Sequence, residues 1–496
     1  MHNFLMCDAF ILQFAEPFIN GRSNFTQGTI EFMPTEIVAR MGMAVWLLSS
    51  TIAFGSENAG KYPNILLITI DTLRADHLSS YGYPLRTSPA IDRLAEEGTR
   101  FSSAYSPIPL TGPAHISLLT GRFPQEHGAR VNGYAVGKDS KWLFLPQVLK
   151  KFGYANAAFI SAWPLNSRLT HLDRWFDVYD ENLTRSYQVF NSSRYAEDVT
   201  PVVTRWLDGR PSKKPFFLWV HYFDPHSPYH LRDGFKDFEQ SGHPNNRPGL
   251  LNKAMAKRIQ SYDSEIGYVD GYVKKLLKKV DDLKLRDSTL VVLTSDHGES
   301  LGENGYVGHG RALSQGIVKI PLILRYPGVI PDRQVIDDNV SLLDVMPTLL
   351  DFTIGVLNTE NLPTAFAGRS LVSAITKKES IPNRPIRYLS FAGKKGWMPH
   401  WLAQFWITAD RIPFRVGQTV GNKKSIWNPR EKVLSSFDLS VDPFEQEPLV
   451  LSQKDRMYSS RTKPLSRWFE ATNLSGGESR MNKRDMEILR SLGYVQ

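Results

Sequence analysis

Residues 64–71 read Asn-Ile-Leu-Leu-Ile-Thr-Ile-Asp, an apolar and largely β-branched run that ends in a carboxylate. Three further runs of similar character, six or seven residues long, lie at residues 216–222, 289–294 and 321–326. Near-continuous apolar runs of this length are typical of strands in a parallel sheet that is covered on both faces. We expect these four runs to form the centre of one sheet.

Helical patterns lie between these runs, at about residues 87–97, 112–120, 141–152, 196–207 and 254–280. The alternation of strand and helix indicates an α/β fold. After about residue 380 the pattern changes to short strands separated by Gly, Pro and Asn, at 386–392, 403–408, 413–418 and 433–439. This part predicts a small antiparallel sheet, with a terminal helix near 483–491.

The composition excludes several classes of protein. The chain has 496 residues, 42% hydrophobic and 22% charged, which is incompatible with a disordered, collagen-like or polytopic membrane protein. A chain of this length has more residues than a single hydrophobic core usually accommodates, so we expect more than one domain. We expect a leader over 1–61, a large α/β domain over 62–380 and an α+β subdomain over 381–496.

The net charge of +9 predicts an anionic partner. Residues 377–432 hold twelve lysines and arginines against three acids, together with Trp397, Trp401, Trp406 and Trp427. This stretch predicts a basic, aromatic wall that guides a large anionic substrate, such as a polysaccharide or a lipid headgroup. A solvated subdomain face over an aromatic core is the alternative. No nucleic-acid recognition motif is present.

The leader resembles a secretory signal. Arg40 precedes an apolar stretch at 41–54, and Ala53 and Gly55 give a small-x-small pattern. Fourteen residues are too few to span a bilayer comfortably. We expect an exported protein, periplasmic or secreted, with a membrane anchor or a buried helix as the alternatives. The single cysteine, Cys7, forms no intramolecular disulfide.

Reactive side chains follow three of the predicted strands. They are Asp71 with the first strand, His221, Asp224 and His226 with the second, and Asp296 and His297 with the third. Ligands of an open parallel sheet bind at the carboxyl ends of its strands. Carboxylates and imidazoles gathered there predict a divalent metal site. The other histidines, His77, His127, His171, His230 and His243, are expected in loops or at the surface.

The segment 111–121 predicts a helix with Thr111 as its N-cap, Pro113 in its first turn and Gly121 at its end. This places Thr111 where the helix dipole and free N–H groups favour an anion. Beside a metal ion, the Thr111 hydroxyl becomes a candidate nucleophile, because the cation lowers its pKa. A plain N-cap threonine is the alternative.

Together, the stretches 64–83, 109–132, 262–303 and 437–448 and the Leu-Gly-Tyr ending at 492–494 resemble the sulfatase family of the alkaline phosphatase superfamily. The resemblance spans roughly residues 62–496. It implies a large mixed, mostly parallel sheet flanked by helices, a small C-terminal antiparallel sheet with a terminal helix, and a metal-dependent hydrolase of sulfuric esters.

By this resemblance the metal ligands would be Asp71, Thr111, Asp296 and His297. The family binds Ca²⁺, but Thr72 stands where a second acid is usual. Two Asp, one His and a Thr oxygen suit Zn²⁺ or Mn²⁺ better than Ca²⁺, which prefers oxygen ligands only. One divalent ion is expected, and a second is left open.

The resemblance also implies roles around the ester. The catalytic residues would be Thr111, His226 and His309, and the substrate-binding residues Asn132, His115 and His221. His226 would contact the ester oxygens or protonate the leaving group, and His309 stands where many sulfatases have a lysine. Asn132 would donate to a non-bridging oxygen. For His221, a satisfied core histidine and a second-metal ligand remain alternatives.

Sulfatases convert a Cys or Ser in a C/S-x-P-x-R frame into formylglycine, and this chain has Thr111 and His115 at the ends of that frame. Threonine cannot give that aldehyde, so we predict direct attack by the hydroxyl and favour phosphoric over sulfuric esters. Residues 296–305 are also similar to phosphoethanolamine transferases, which use a threonine nucleophile. Such a phosphotransferase and a non-catalytic binding protein on this fold are the alternatives.

Overall fold

The computed structural model describes residues 62–136, 142–187, 190–235, 253–355, 366–391, 413–472 and 478–479. The leader at 1–61, the strand pattern at 403–408 and the helix pattern near 483–491 lie outside these ranges, as do Trp397, Trp401, Trp406 and His243. The described residues fall within one compact unit. Among them, no helix combines the length and apolar character needed to cross a membrane.

The strands are β1 (Asn64–Ile70), β2 (Thr99–Tyr105), β3 (Tyr134–Ala135), β4 (Ala155–Phe159), β5 (Val178–Asp180), β6 (Arg185–Tyr187), β7 (Phe190–Ser193), β8 (Phe216–Tyr222), β9 (Thr289–Thr294), β10 (Ser300–Leu301), β11 (Val307–Gly308), β12 (Lys319–Arg325), β13 (Gln334–Ser341), β14 (Ile386–Ser390), β15 (Arg415–Val420), β16 (Lys423–Asn428), β17 (Val433–Asp438), β18 (Leu449–Ser452) and β19 (Glu478–Ser479). The helices are α1 (Pro89–Glu96), α2 (Thr111–Thr120), α3 (Pro124–His127), α4 (Leu145–Lys151), α5 (Ser167–Thr170), α6 (Ala196–Gly209), α7 (Lys253–Asp282), α8 (Gln315–Val318), α9 (Val345–Ile354), α10 (Val372–Lys377) and α11 (Arg456–Thr472).

The large sheet has eight strands in the order β13-β2-β12-β9-β1-β8-β4-β5. Strand β1 lies in parallel between β8 and β9, and β4 is parallel to β8 and β5. Strand β12 is antiparallel to both of its neighbours, β9 and β2. The predicted α/β class and mostly parallel sheet are confirmed, but one of the four central runs points the opposite way.

The sheet is apolar on both faces because helices cover both. On one face Ile65 and Leu67 of β1 join a core with α2, α4 and α9, and on the other Leu66 and Ile68 join a core with α1, α6 and α7. Alternate residues of a strand point to opposite faces, so a strand covered on both sides must be apolar throughout. This is the reason that the run at 64–70 could be recognised as a central strand.

The small sheet is antiparallel, in the order β14-β15-β16-β17-β18. It packs against α11, with Val416, Leu434 and Leu451 beside Tyr458 and Leu465 of the helix. The predicted pieces at 386–392, 413–418 and 433–439 correspond to β14, β15 and β17. Helix α11 was not predicted.

Two histidines expected at the surface or in loops are buried instead. His77 is 1% exposed and pairs through Nδ1 with Asp263 at 2.6 Å. His127 is 2% exposed, and its Nδ1 accepts the N–H of Ala129 at 3.2 Å. Its proton is therefore on Nε2, which lies 2.9 Å from the Ser117 hydroxyl oxygen. Burial, and after it the charge of Arg130, lower the pKa of His127 to about 3.

This buried imidazole predicts an acid-labile contact beneath α2. Between pH 6.5 and about 3 the unfolded chain binds a proton at His127 that the folded chain does not. The free energy of unfolding should therefore fall as the pH falls through this window, by up to about 1.4 kcal/mol per pH unit. His127→Gln should flatten that slope in denaturant unfolding, whereas exposed His230→Gln should leave it near the wild-type value. An unchanged slope in His127→Gln would contradict the assignment.

Candidate active site

The parallel strands β8, β1 and β9 end side by side, and their carboxyl ends form the floor of a buried polar site. Asp71 follows β1, and Asp296 and His297 follow β9; all three side chains are fully buried. One ligand atom from each lies within 4.8 Å of the others. His297 Nε2 is 3.3 Å from Asp296 Oδ2 and 4.0 Å from Asp71 Oδ1.

The electrostatics of this group fit a bound cation. Asp71 Oδ1, Asp296 Oδ2 and His297 Nε2 have no hydrogen-bond partner although they are buried. Burial, the Asp296 charge and the Glu299 charge raise the pKa of Asp71, and burial raises the pKa of Asp296 to about 6. Buried charges without partners are costly, and the usual remedies are pairing or metal coordination. A divalent ion would supply the missing partner for all three atoms.

The imidazole of His297 is prepared for such an ion by its own chain. Its Nδ1 lies 3.0 Å from the carbonyl oxygen of Gly298, so Nδ1 carries the proton and donates it. Burial lowers the pKa of His297 to about 3, which keeps the ring neutral. The lone pair of Nε2 then faces the two carboxylates, as metal-binding histidines require.

Thr72 makes the turn that brings these ligands together. Its φ of +56° is in the left-handed region, which is rare for a β-branched residue. In this conformation its N–H reaches Asp296 Oδ1 at 3.3 Å, and its carbonyl accepts the Tyr262 hydroxyl at 2.7 Å. Strain of this kind persists where the surrounding structure fixes it, commonly at functional sites.

Thr111 lies at the start of α2, against the metal-ligand group. The predicted N-cap assignment is wrong by one residue, because Leu110 occupies the cap and Thr111 is the first helical residue. The Thr111 hydroxyl oxygen instead lies 3.4 Å from Asp71 Oδ2. The N–H of Gly112 donates to Asn132 Oδ1 at 2.8 Å. Asn132 Nδ2 has no partner in the structure, so its N–H groups are available to an anion.

His115 lies one turn along α2 and has both ring nitrogens occupied. Nδ1 donates to the carbonyl oxygen of Thr111 at 2.8 Å, and Nε2 lies 3.1 Å from the Thr69 hydroxyl. Thr69 also accepts the indole N–H of Trp219 at 2.9 Å, so its own proton goes to His115. These contacts link the first turn of α2 to β1 and β8.

His221 is the one site histidine whose Nδ1 accepts a hydrogen bond. The N–H of Ser161 donates to it at 3.2 Å, so the neutral ring carries its proton on Nε2. That N–H lies 3.5 Å from Asp71 Oδ2, the oxygen that also faces Thr111. His221 therefore presents a donor to the site, whereas His297 presents a lone pair.

His226 and His309 form the opposite wall, with ring centres 5.1 Å apart. His226 Nδ1 donates to the carbonyl oxygen of Ser227 at 2.7 Å, and His309 Nδ1 lies 3.1 Å from Glu299 Oε1. Burial lowers the pKa of both rings to about 3. The sequence analysis did not single out Glu299, although it belongs to the Ser-Asp-His-Gly-Glu motif. The spacing of ten residues between Glu299 and His309 is the sequence feature that could have indicated their contact.

Asp224 also follows β8, but it does not join the ligand group. Its carboxylate accepts the N–H of Ala196 at 2.9 Å and pairs with Arg232 at 3.2 Å. Arg232 pairs as well with Glu265 of α7 at 2.7 Å. This network anchors the loop that carries His226.

The chain belongs to the sulfatase family: a sequence profile described as Sulfatase matches residues 63–356. It is a sulfatase-like hydrolase on an alkaline-phosphatase-like fold, as predicted. The N-acetylgalactosamine-6-sulfatase of Canis lupus familiaris is 27% identical, over 91% of this chain and 94% of that protein.

Two solved structures share the fold. One is described as a complex with its substrate D-glucosamine-2-N,6-O-disulfate; it is 20% identical, covers 83% of this chain and 97% of that one, and has a TM-score of 0.63. The phosphonate monoester hydrolase of Agrobacterium radiobacter is 18% identical, covers 85% and 100%, and has a TM-score of 0.60.

Asp71→Asn tests the ligand group by separating stability from metal binding. Without metal the variant loses a buried carboxylate that repels Asp296, so its free energy of unfolding in chelator should exceed that of the wild type by roughly 1–3 kcal/mol. With Mn²⁺ or Zn²⁺ the wild type should gain stability and the variant should not. Exposed Asp287→Asn is the control. A variant that is less stable in chelator and still stabilised by metal would contradict the assignment.

Proposed function

We propose that this chain hydrolyses esters of a tetrahedral oxyacid with Thr111 as the nucleophile, and that phosphoric esters react faster than sulfuric esters. The observation that supports this most directly is the position of the Thr111 hydroxyl. It lies 3.4 Å from Asp71, a member of the buried group that fits a metal ion. The sulfatase frame has a residue at this position that becomes an aldehyde, which threonine cannot form.

Asp71, Asp296, His297 and the Thr111 hydroxyl would hold one divalent ion, and Zn²⁺ or Mn²⁺ suits this mixture of oxygen and nitrogen better than Ca²⁺. Bound there, the ion would supply positive charge beside the nucleophile and the ester oxygens.

In an in-line displacement the attacking and leaving oxygens lie on opposite sides of phosphorus, so one imidazole serves only the leaving-group side. The Thr111 proton is released to bulk water, the bond from Oγ1 to phosphorus forms and the ester bond breaks. An imidazolium gives its proton to the leaving oxygen. Water then attacks the same phosphorus from that side, its proton goes to the imidazole, and Thr111 takes a proton from bulk water as the Oγ1–phosphorus bond breaks. His309 fits this role, because Glu299 Oε1 lies 3.1 Å from its Nδ1 and orients the ring.

The charge on the transferred group would be met by fixed donors. Asn132 Nδ2 and His221 Nε2 both carry N–H groups. A backbone N–H donates to the other polar atom of each side chain, Asn132 Oδ1 or His221 Nδ1, and so fixes the direction of the donor. Donors held in place before the reaction stabilise developing charge at little reorganisation cost. His115 is assigned to the substrate by sequence, and its two occupied nitrogens favour a supporting contribution through the Thr111 carbonyl.

Sulfuric esters of sugars are the second candidate, because the relatives reported above are named for or bound to sulfated sugars. The phosphonate monoester hydrolase supports phosphorus chemistry on the same fold. An anionic polysaccharide or lipid headgroup fits the basic stretch at 377–432, and export fits the leader pattern. Transfer to an acceptor alcohol instead of water remains the alternative outcome.

Thr111→Ala tests the nucleophile. With 4-nitrophenyl sulfate, phosphate and a phosphodiester as substrates, the wild type should favour a phosphoric ester, and the variant should lose on the order of 10³-fold or more in kcat/KM. Thr111→Ser should keep activity, because it retains the hydroxyl. Turnover of sulfate that survives in Thr111→Ala would contradict the mechanism.

His309→Gln tests the proton shuttle. The variant should lose about 10²- to 10⁴-fold in kcat on a phenyl ester, whose leaving group needs a proton, and much less on the 4-nitrophenyl ester. His226→Gln on the same pair of substrates decides which imidazole carries the proton. Equal losses on both esters in both variants would show that neither does.

A further inference from the structure

The loop after His309 is held by side chains of the small sheet. Four consecutive contacts tie the backbone of residues 310–315 to that sheet. Ser390 of β14 donates to Gly310 O, Arg415 of β15 donates to Arg311 O at 2.7 Å, Lys424 of β16 donates to Leu313 O at 2.6 Å, and Glu445 accepts the N–H of Gln315 at 2.8 Å. The loop's own position therefore depends on residues more than 70 positions away.

The same sheet also holds the chain that leads to Thr111. The N–H of Leu389 in β14 donates to Pro107 O at 2.9 Å. Gly310 has a φ of +90°, and a Cβ placed there would lie 3.3 Å from Leu110, the residue before Thr111. Strand β14 thus contacts the approach to the nucleophile on one side and the His309 loop on the other.

The contact at Lys424 is unusual in its burial. Lys424 is fully buried and pairs with Glu445, 3% exposed, at 2.5 Å. Its neighbour Lys423 pairs with Asp438 at the surface and is 71% exposed. A buried ion pair contributes little net stability, because desolvation offsets the attraction, but it fixes geometry when every donor has a partner. Here the ammonium group also holds a loop carbonyl.

We propose that Ser390 and the Lys424–Glu445 pair are positioning residues, through which the small sheet sets His309 against Thr111. This inference rests on the proposed function of His309. It assigns the C-terminal subdomain a part in catalysis that does not depend on substrate contact. A displacement of about 1 Å in a reacting group can cost on the order of 10²-fold in rate.

The test compares Ser390→Ala and the double variant Lys424→Met/Glu445→Gln with wild type, in the full metal-loaded protein. The double variant removes both charges together, so no buried charge is left unpaired. Ser425→Ala and Lys423→Met are matched controls in the same sheet, since Ser425 contacts Ser436 and Lys423 contacts Asp438. Phenyl and 4-nitrophenyl esters are the substrates, thermal unfolding reports folding, and kcat and KM are measured separately.

We expect both variants to lose about 10- to 100-fold in kcat on the phenyl ester and less on the 4-nitrophenyl ester, with KM within about twofold of wild type. The controls should match wild type on both. Suppose that His309→Gln loses more kcat on the phenyl ester than on the 4-nitrophenyl ester. Folded variants that then match the wild type, or that lose kcat equally on both esters, overturn the inference. If His309→Gln does not discriminate, the proposed function of His309 fails instead. Should the double variant not fold, Ser390→Ala decides alone.

Discussion

The mutual repulsion of Asp71 and Asp296 is the constraint on which the site depends. Two parallel strands, β1 and β9, run side by side and deliver both carboxylates, fully buried, to the same edge of the sheet. Burial raises the pKa of each, and the charge of Asp296 raises the pKa of Asp71 further. A cation bound at that point would turn the repulsion into attraction and offset this cost. The strained turn at Thr72 and the neutral His297 serve the same arrangement.

Around this centre, backbone groups set the tautomers of His297, His226 and His221. Carbonyl oxygens of Gly298 and Ser227 hold the Nδ1 protons of His297 and His226, so those rings face inward with a lone pair. The N–H of Ser161 does the opposite at His221 and turns a donor inward. In the proposed mechanism, ligand, proton-transfer and donor functions would thus be separated among chemically identical side chains.

The parts of this site that could be predicted are those set by continuous apolar runs. The strands at 64–70, 216–222 and 289–294 can be recognised in the sequence because burial on both faces makes them apolar throughout. The residues that follow them lie close together because the strands are parallel. Strand β2, Thr-Arg-Phe-Ser-Ser-Ala-Tyr, was missed because polar residues interrupt it, and β4 is short and rich in alanine. The cap at Leu110 was missed because the Thr111 hydroxyl turns to Asp71 instead of the helix.

The histidines at 115 and 309 bear on which esters this site suits. By the family resemblance they stand where sulfatases place an arginine and a lysine. Burial lowers the pKa of both rings, and a bound cation nearby would lower it further, so two fixed positive charges are replaced by neutral rings. With fewer fixed positive charges, the site stabilises an ester with one negative charge more easily than an ester with two. Phosphodiesters and sulfate monoesters are both monoanions, whereas phosphate monoesters are not. If the proposed phosphoric-ester chemistry holds, the charge of the site would therefore favour diesters over monoesters.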